Sequence, residues 1–293
     1  MPNSSAQPLV SIVLPTYNGE RFLQESIDSC LNQTLRDFEL ILVDDGSQNA
    51  ETLRILASQT DPRVIVDHQK TNLGLPRALN AGFRIARGRY LTWTSDDNHY
   101  RPEAIETMVT FLERGETDFV YARATAIDDE GRIIGEIVPR APENLVLDNC
   151  IGPCFLYTRE VMEKTGPYDP SMILTEDYDY WIRVFKRFRM MRIDHDLYLY
   201  RHHSTTLTSI HGRDRVQEKI DQARRKHFSA WQVLRADGLR AFARDDRREA
   251  RQALLSSFLH RPLQTDLLRP LAICLLPQWA VRCVVRFKQM LKR

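Results

Sequence analysis

Residues 90–98 read Tyr-Leu-Thr-Trp-Thr-Ser-Asp-Asp-Asn, a short apolar run that ends in two adjacent acids. Tyr90, Leu91 and Trp93 have the aromatic and apolar character of a buried strand, and the acids fall where such a strand leaves its sheet. Open α/β sheets place their ligand crevice at that end. Neighbouring carboxylates at a buried strand end repel each other, so a divalent cation or a set of hydrogen-bond donors must offset the cost. Ser95, Asp96, Asp97 and Asn98 are equally ordinary turn formers ahead of a helix near Pro102. The surrounding chain has to choose between the two readings.

Upstream, residues 9–14 form a continuous apolar strand that runs into Pro15-Thr16-Tyr17-Asn18-Gly19. Phe22, Leu23, Ile27, Cys30 and Leu31 follow at helical spacing, and residues 38–43 make a second apolar strand ending in Asp44-Asp45-Gly46-Ser47. Residues 51–58 read as a helix, 63–66 as a short strand and 75–86 as a helix, with Asn72 and Gly74 in the loop before it. This alternation predicts a parallel sheet with right-handed crossovers, helices on its faces and both acid pairs on one rim. Downstream, residues 103–112 are helical, and residues 118–127 and 133–138 form a hairpin across Asp128-Asp129-Glu130-Gly131. Residues 149–157 read as a strand interrupted by Gly152-Pro153, and 159–164 as a short helix. Thr175-Glu176-Asp177 opens a helix with an apolar face of Tyr180, Trp181, Val184, Phe185 and Phe188. Acids in a first turn suit the helix dipole, which gives Glu176 and Asp177 a structural reason as well as a chemical one. A last strand, 190–200, ends in Arg201-His202-His203-Ser204.

The chain has 293 residues, with 41 Lys and Arg against 39 Asp and Glu. A balance this close gives no general attraction to nucleic acid. Five cysteines without regular spacing, and no signal peptide at the start, point to a reducing cytoplasmic setting without a disulfide framework. Beyond residue 205 the composition changes to long helical runs, 216–239 and 247–260. The chain therefore divides into an α/β domain, 8–205, and a C-terminal helical region, 206–293. Residues 271–293 interleave apolar positions with Arg282, Arg286, Lys288, Lys292 and Arg293, and no acid follows Asp266. Such a tail suits the headgroup layer of an anionic membrane at its inner face, or docks on the domain as a terminal helix; the run of basic residues favours the membrane. No apolar stretch is long enough to span a bilayer.

Taken together, residues 10–19, 43–47, 72–74, 78–82 and 94–98 resemble the family 2 glycosyltransferases with the GT-A fold, a Rossmann-like, mostly parallel mixed sheet flanked by helices. The resemblance covers roughly residues 8–205, and Thr-Ser-Asp-Asp-Asn is similar to the spore-coat and polysaccharide-biosynthesis members. It implies that Pro15, Thr16, Tyr17 and Asn18 receive the nucleobase and that Asp44 accepts its N3–H. A carboxylate facing an imide favours a UDP-sugar, with dTDP as the alternative. It places Arg77 toward the diphosphate, although the usual arginine before Asn80 is here Leu79. Asp96 matches the ribose-contacting acid and Asp97 a ligand for Mn2+ or Mg2+, while Thr94 replaces the first acid of the usual Asp-x-Asp. His203 would touch metal or diphosphate, and Arg201 would stabilise phosphate charge. Asp177 matches the catalytic base, with Glu176 as alternate. The reaction so implied is inverting transfer to a hydroxyl of a glycan or lipid-linked acceptor. A sugar nucleotidyltransferase is the competing enzyme, but it lacks its Gly-rich basic loop here. A catalytically silent nucleotide- or glycan-binding partner is the non-enzymatic alternative.

Overall fold

Seven consecutive buried residues make β1 (Val10–Thr16), which pairs in parallel on both sides, with β2 (Phe38–Asp44) and β4 (Tyr90–Trp93). A strand covered on both faces reads as an unbroken apolar run, which is why its sequence shows no alternation. β2 pairs in parallel with β3 (Val64–His68). The crossovers are α1 (Leu23–Leu31), α2 (Ala50–Ala57) and α3 (Leu75–Ile85). Gly82 brings α3 against the sheet, for a Cβ there would lie 2.4 Å from Val13 Cγ1. The register aligns Thr16 with Asp44 and Val13 with Trp93, so the loops after β1, β2 and β4 leave from one rim. Both acid pairs emerge there, as their positions at strand ends predict.

The structure is a computed structural model and describes residues 7–261 and 264–275. After β4 come β5 (His99–Tyr100), α4 (Ala104–Glu113), β6 (Phe119–Ile127), β7 (Ile133–Ile137), β8 (Cys154–Thr158), α5 (Arg159–Thr165), α6 (Glu176–Phe185) and β9 (Met190–Arg201). The strand order is β3-β2-β1-β4-β8-β6-β9-β5, with β7 also on β6. β8 runs antiparallel to β4 and β6, whereas β6 and β9 are parallel. A parallel half is thus joined to a mixed half, the expected α/β class. The strand expected over 149–157 shrinks to β8, because Gly152 takes φ +83° and Pro153 offers no N–H to a ladder. β5 is too short to carry a periodicity and was not expected. Behind α6, Trp181 packs edge-on against Phe119 and Phe155, with centroids 4.9 and 4.5 Å away.

The chain forms two compact units, one ending at Ala223 and the other starting at Arg224. The boundary expected after residue 205 falls too early. Leu207, Ile210, Val216 and Ile220 of α7 (Leu207–His227), a helix broken at Gly212, line a cavity of the first unit. The second unit contains α8 (Ala230–Ala243), α9 (Arg247–His260) and α10 (Leu268–Leu275). The helix expected over 216–239 is in fact two, because Ser229 starts α8 with a capping box completed by Gln232. Gly238 lets α8 approach Leu254 of α9. Of the expected membrane-binding tail, residues 276–293 lie outside the described residues. Among those described, no helix is long and apolar enough to cross a membrane.

Candidate active site

A cavity of about 970 Å3 opens at the rim where β1 and β4 end, bounded also by the first turn of α6 and the start of α7. Pro15, Thr16, Tyr17 and Asn18 all line it, and Tyr17 is 46% exposed, leaving its ring available for stacking. Asn18 takes φ +53°, a left-handed conformation that asparagine tolerates. Its Oδ1 accepts from the backbone N–H groups of Gln48 (2.9 Å) and Asn49 (3.0 Å), and its own N–H donates to Ser47 Oγ. Asn18 therefore pins the loop after β1 to the loop after β2. Asp45 does the same for the loop before α3, accepting from the N–H groups of Leu73 (3.0 Å) and Gly74 (2.8 Å).

Two donor-side expectations change. Asp44 is 3% exposed and its oxygens are engaged, Oδ1 by Ser47 N–H at 2.8 Å and Oδ2 by His68 Nδ1 at 2.9 Å. Asp45, and not Asp44, stands among the residues lining the cavity. Reading a base through Asp44 therefore requires the half-exposed His68 to swing aside. Arg77 lies on the solvent face of α3, whereas Leu75 and Ala78 line the cavity; its Nη1 reaches only Leu73 O, at 3.4 Å. The helical register of α3 sets it on the solvent side, off the cavity lining.

At the end of β4 the two acids make different contacts. Asp96 Oδ2 accepts from Thr16 Oγ1 at 2.5 Å, and a Cβ at Gly19 would sit 2.1 Å from the same oxygen, so glycine leaves room for this carboxylate beside the loop. Burial, and then the charge on Asp97, push the Asp96 carboxyl up to about 7. Asp97 Oδ2 lies 3.0 Å from His203 Nε2, and His203 Nδ1 lies 2.7 Å from Thr205 Oγ1. The buried Asp97 Oδ1 has no hydrogen-bond partner among the described residues. Thr94 bonds Tyr198 OH at 2.6 Å, so the position of the missing first acid is absorbed into the core.

Arg201 is corrected as well. It is 4% exposed, and its guanidinium donates to Glu25 Oε2 (2.8 Å), Asp129 O (3.0 Å) and Asp97 O (3.2 Å) while lying 4.2 Å from the Phe22 ring centre. Its donors are used on the protein, where it braces the backbone of Asp97, and it does not stand among the residues lining the cavity.

The first turn of α6 presents Glu176 and Asp177 to the same cavity. Asp177 Oδ2 accepts from Asn149 Nδ2 and Oδ1 from the N–H of Tyr178, both at 2.6 Å. Glu176 is 6% exposed, and its Oε2 has no partner among the described residues. Burial raises both carboxyls above their usual range, and the Asp177 charge raises Glu176 further. Sequence reasoning missed Asn149, which the fold alone brings to Asp177. It also missed the α7 residues, whose helical pattern says nothing about which cavity they face.

Asp97 and His203 supply a hard oxygen and an imidazole nitrogen side by side. Among the described residues no group of three or more His, Cys, Asp or Glu is arranged to hold a metal. Two protein donors, one carrying an orphaned carboxylate oxygen, fit the sparse protein coordination of Mg2+ or Mn2+ at sites where substrate phosphates complete the shell.

Residues 11–166 match the family described as glycosyl transferase family 2. The chain belongs to that family. It is 34% identical over 202 residues to a Rickettsia prowazekii protein named an uncharacterized glycosyltransferase, a match covering 65% of this chain and 62% of that one. With the Bacillus subtilis uncharacterized glycosyltransferase EpsJ it shares 30% identity over 235 residues, 73% of this chain and 67% of the relative. The chain spans less than two thirds of the Rickettsia relative's length. Among solved structures, Staphylococcus aureus TarS in complex with UDP superposes with a TM-score of 0.58 at 17% identity, covering 86% of each chain. TarS with UDP-GlcNAc gives 0.56 at 15% identity, over 91% of this chain and 79% of that one. At such identities the likeness establishes the GT-A fold alone.

Proposed function

We propose that this protein is an inverting glycosyltransferase that moves a sugar from a nucleotide-diphosphate sugar to an acceptor hydroxyl in glycan or polysaccharide synthesis. UDP is favoured as carrier and dTDP is the alternative. The observation that carries the reading is the pair of unpartnered carboxylate oxygens, Asp97 Oδ1 and Glu176 Oε2, on residues lining one cavity. Buried acceptors without donors cost free energy, and in native structures they mark a missing ligand or a chemical task. The TarS complexes with UDP and UDP-GlcNAc support a nucleotide-sugar donor on this fold.

In this reading Tyr17 stacks on the base, Asp96 receives the ribose hydroxyls, and Asp97 with His203 holds Mn2+ or Mg2+. When bound, the metal offsets charge developing on the diphosphate oxygens. Asp177, oriented by Asn149 and the Tyr178 N–H, takes the proton of the acceptor hydroxyl as its oxygen attacks the anomeric carbon opposite the departing diphosphate. One carboxylate suffices, and burial raises its affinity for protons. Glu176 is the alternate. Attack from the opposite face inverts the anomeric configuration. Calorimetric titration of UDP, dTDP and GDP, with and without Mn2+, tests the donor half. Mn2+-dependent UDP binding that Asp97→Ala removes is the expected result, and absence of nucleotide binding would leave a silent partner as the reading.

A further inference from the structure

Directly before the acid pair the chain makes a turn in which the wrong kind of residue occupies a strained position. Met172 O accepts from Thr175 N–H at 2.9 Å, Ile173 has φ −51° and ψ 139°, and Leu174 has φ +74°. These angles describe a type II turn, whose third residue needs a positive φ and is normally glycine or asparagine. A leucine held left-handed is destabilised by the clash of its Cβ with the backbone. Such strain persists only where the surrounding structure over-determines it, and it clusters at functional sites. Leu174 lines the catalytic cavity together with Trp93, Phe155, Ile173, Glu176 and Asp177. It is the apolar residue two positions ahead of a carboxylate that has an unpartnered buried oxygen.

We infer that Leu174 is a water-excluding wall of the reaction site. It keeps solvent from the place that the acceptor hydroxyl must occupy and so suppresses hydrolysis of the donor. The inference rests on the glycosyltransfer reading above. In the suppressed reaction a water oxygen would bond to the anomeric carbon, the bond from that carbon to the diphosphate oxygen would break, and Asp177 would take the water proton. UDP and free sugar are the products. Closed active sites prevent this loss by expelling water.

The turn itself provides a clean test, because glycine fits it better than leucine does. Leu174→Gly keeps the turn and deletes only the wall. Expected for Leu174→Gly are a melting temperature at or above that of the wild type, UDP affinity in Mn2+ within about twofold, and acceptor-free UDP release from UDP-N-acetylglucosamine or UDP-glucose raised about tenfold. Leu174→Met, which keeps volume and apolarity, restores the low rate. Leu174→Gly combined with Asp177→Asn loses the gain, because the intruding water still needs its base. Unchanged or lower UDP release in Leu174→Gly overturns the inference, as does a gain that survives Asp177→Asn. Wild-type protein that binds no UDP fails at the first step and overturns the donor reading and the wall together.

Discussion

The two walls of the cavity are built on opposite principles. On the donor side the loop-bracing side chains are paired: Asn18 and Asp45 each accept from two backbone N–H groups, and Asp44, which does not line the cavity, is closed by Ser47 and His68. On the other side Asp97 and Glu176 each keep a buried oxygen unpartnered among the described residues, and Leu174 holds a left-handed backbone beside the acids. Saturated groups fix the shape of loops, whereas unsaturated ones hold interaction energy for something that arrives later. The donor wall is therefore a preformed mould, and the wall with α6 and His203 is where binding and chemistry are concentrated. Substitutions on the two walls should fail in different ways.

The largest effect belongs to Asp177. Asp177→Asn keeps size and the bond to the Tyr178 N–H but removes the base, so turnover should fall by about 10²–10⁴-fold. UDP affinity should stay within a few fold, since Asp177 is assigned to the acceptor. Parallel losses of affinity and rate would make Asp177 a donor-binding residue and dissolve the division between the walls. Next comes Asp97→Ala, which removes one of two proposed metal donors. Mn2+ should then enhance UDP binding at least about tenfold less than in the wild type, because loss of even an outer partner of a metal site costs that much. UDP affinity measured in EDTA should barely change.

Asp45→Ala tests the mould. It strips the Leu73 and Gly74 N–H groups of their acceptor, with an expected loss of about 1–3 kcal/mol of stability, read from urea unfolding. Donor KM should rise while kcat is nearly preserved, the reverse of Asp177→Asn. If Asp45→Ala instead lowers kcat alone, the donor wall takes part in chemistry and the contrast fails.

How much of this was legible beforehand follows the same divide. The parallel half was readable because β1, β2 and β4 are apolar runs separated by helical periods; β1 and β2 end in Thr16 and Asp44, β4 runs on into Thr94-Ser95-Asp96, and those strand ends mark the rim. Pro15, Thr16, Tyr17, Asn18, Asp96, Asp97, Glu176, Asp177 and His203 all reach the cavity as their motif positions predict. Arg77 and Arg201 did not, for a reason sequence cannot reveal. A motif position gives proximity along the chain, but whether a guanidinium points to solvent, to carbonyls or to a ligand is decided by helix register and by acceptors such as Glu25 and Asp129, far away in sequence. Asn149 was invisible for the same reason. Its partner Asp177 lies across a break at Gly152-Pro153 that also hid the true start of β8. The positive φ of Leu174 left no trace, since nothing in Met-Ile-Leu-Thr announces a turn that prefers glycine.

The smallest effect is measured in degrees of melting temperature and not in powers of ten, and it concerns Glu176, whose Oε2 has no partner among the described residues. Burial, then the neighbouring Asp177 charge, lifts the Glu176 carboxyl above its usual range. Between the ordinary glutamate value of about 4.3 and that raised value, the folded protein keeps a proton that the unfolded chain has released. Stability contributed this way is complete below the unfolded value and is lost as pH rises through the folded one. Metal-free protein should therefore melt at progressively lower temperature from mildly acidic toward alkaline pH. Glu176→Gln, neutral throughout, should flatten that slope and melt higher than the wild type above neutrality. Asp45→Ala should lower the curve across this range, because it strips the Leu73 and Gly74 N–H groups of their acceptor. A Glu176→Gln protein with the wild-type slope would mean that Glu176 is ionised and compensated in solution, and would move the cost of this wall from the acid pair to the backbone of Leu174.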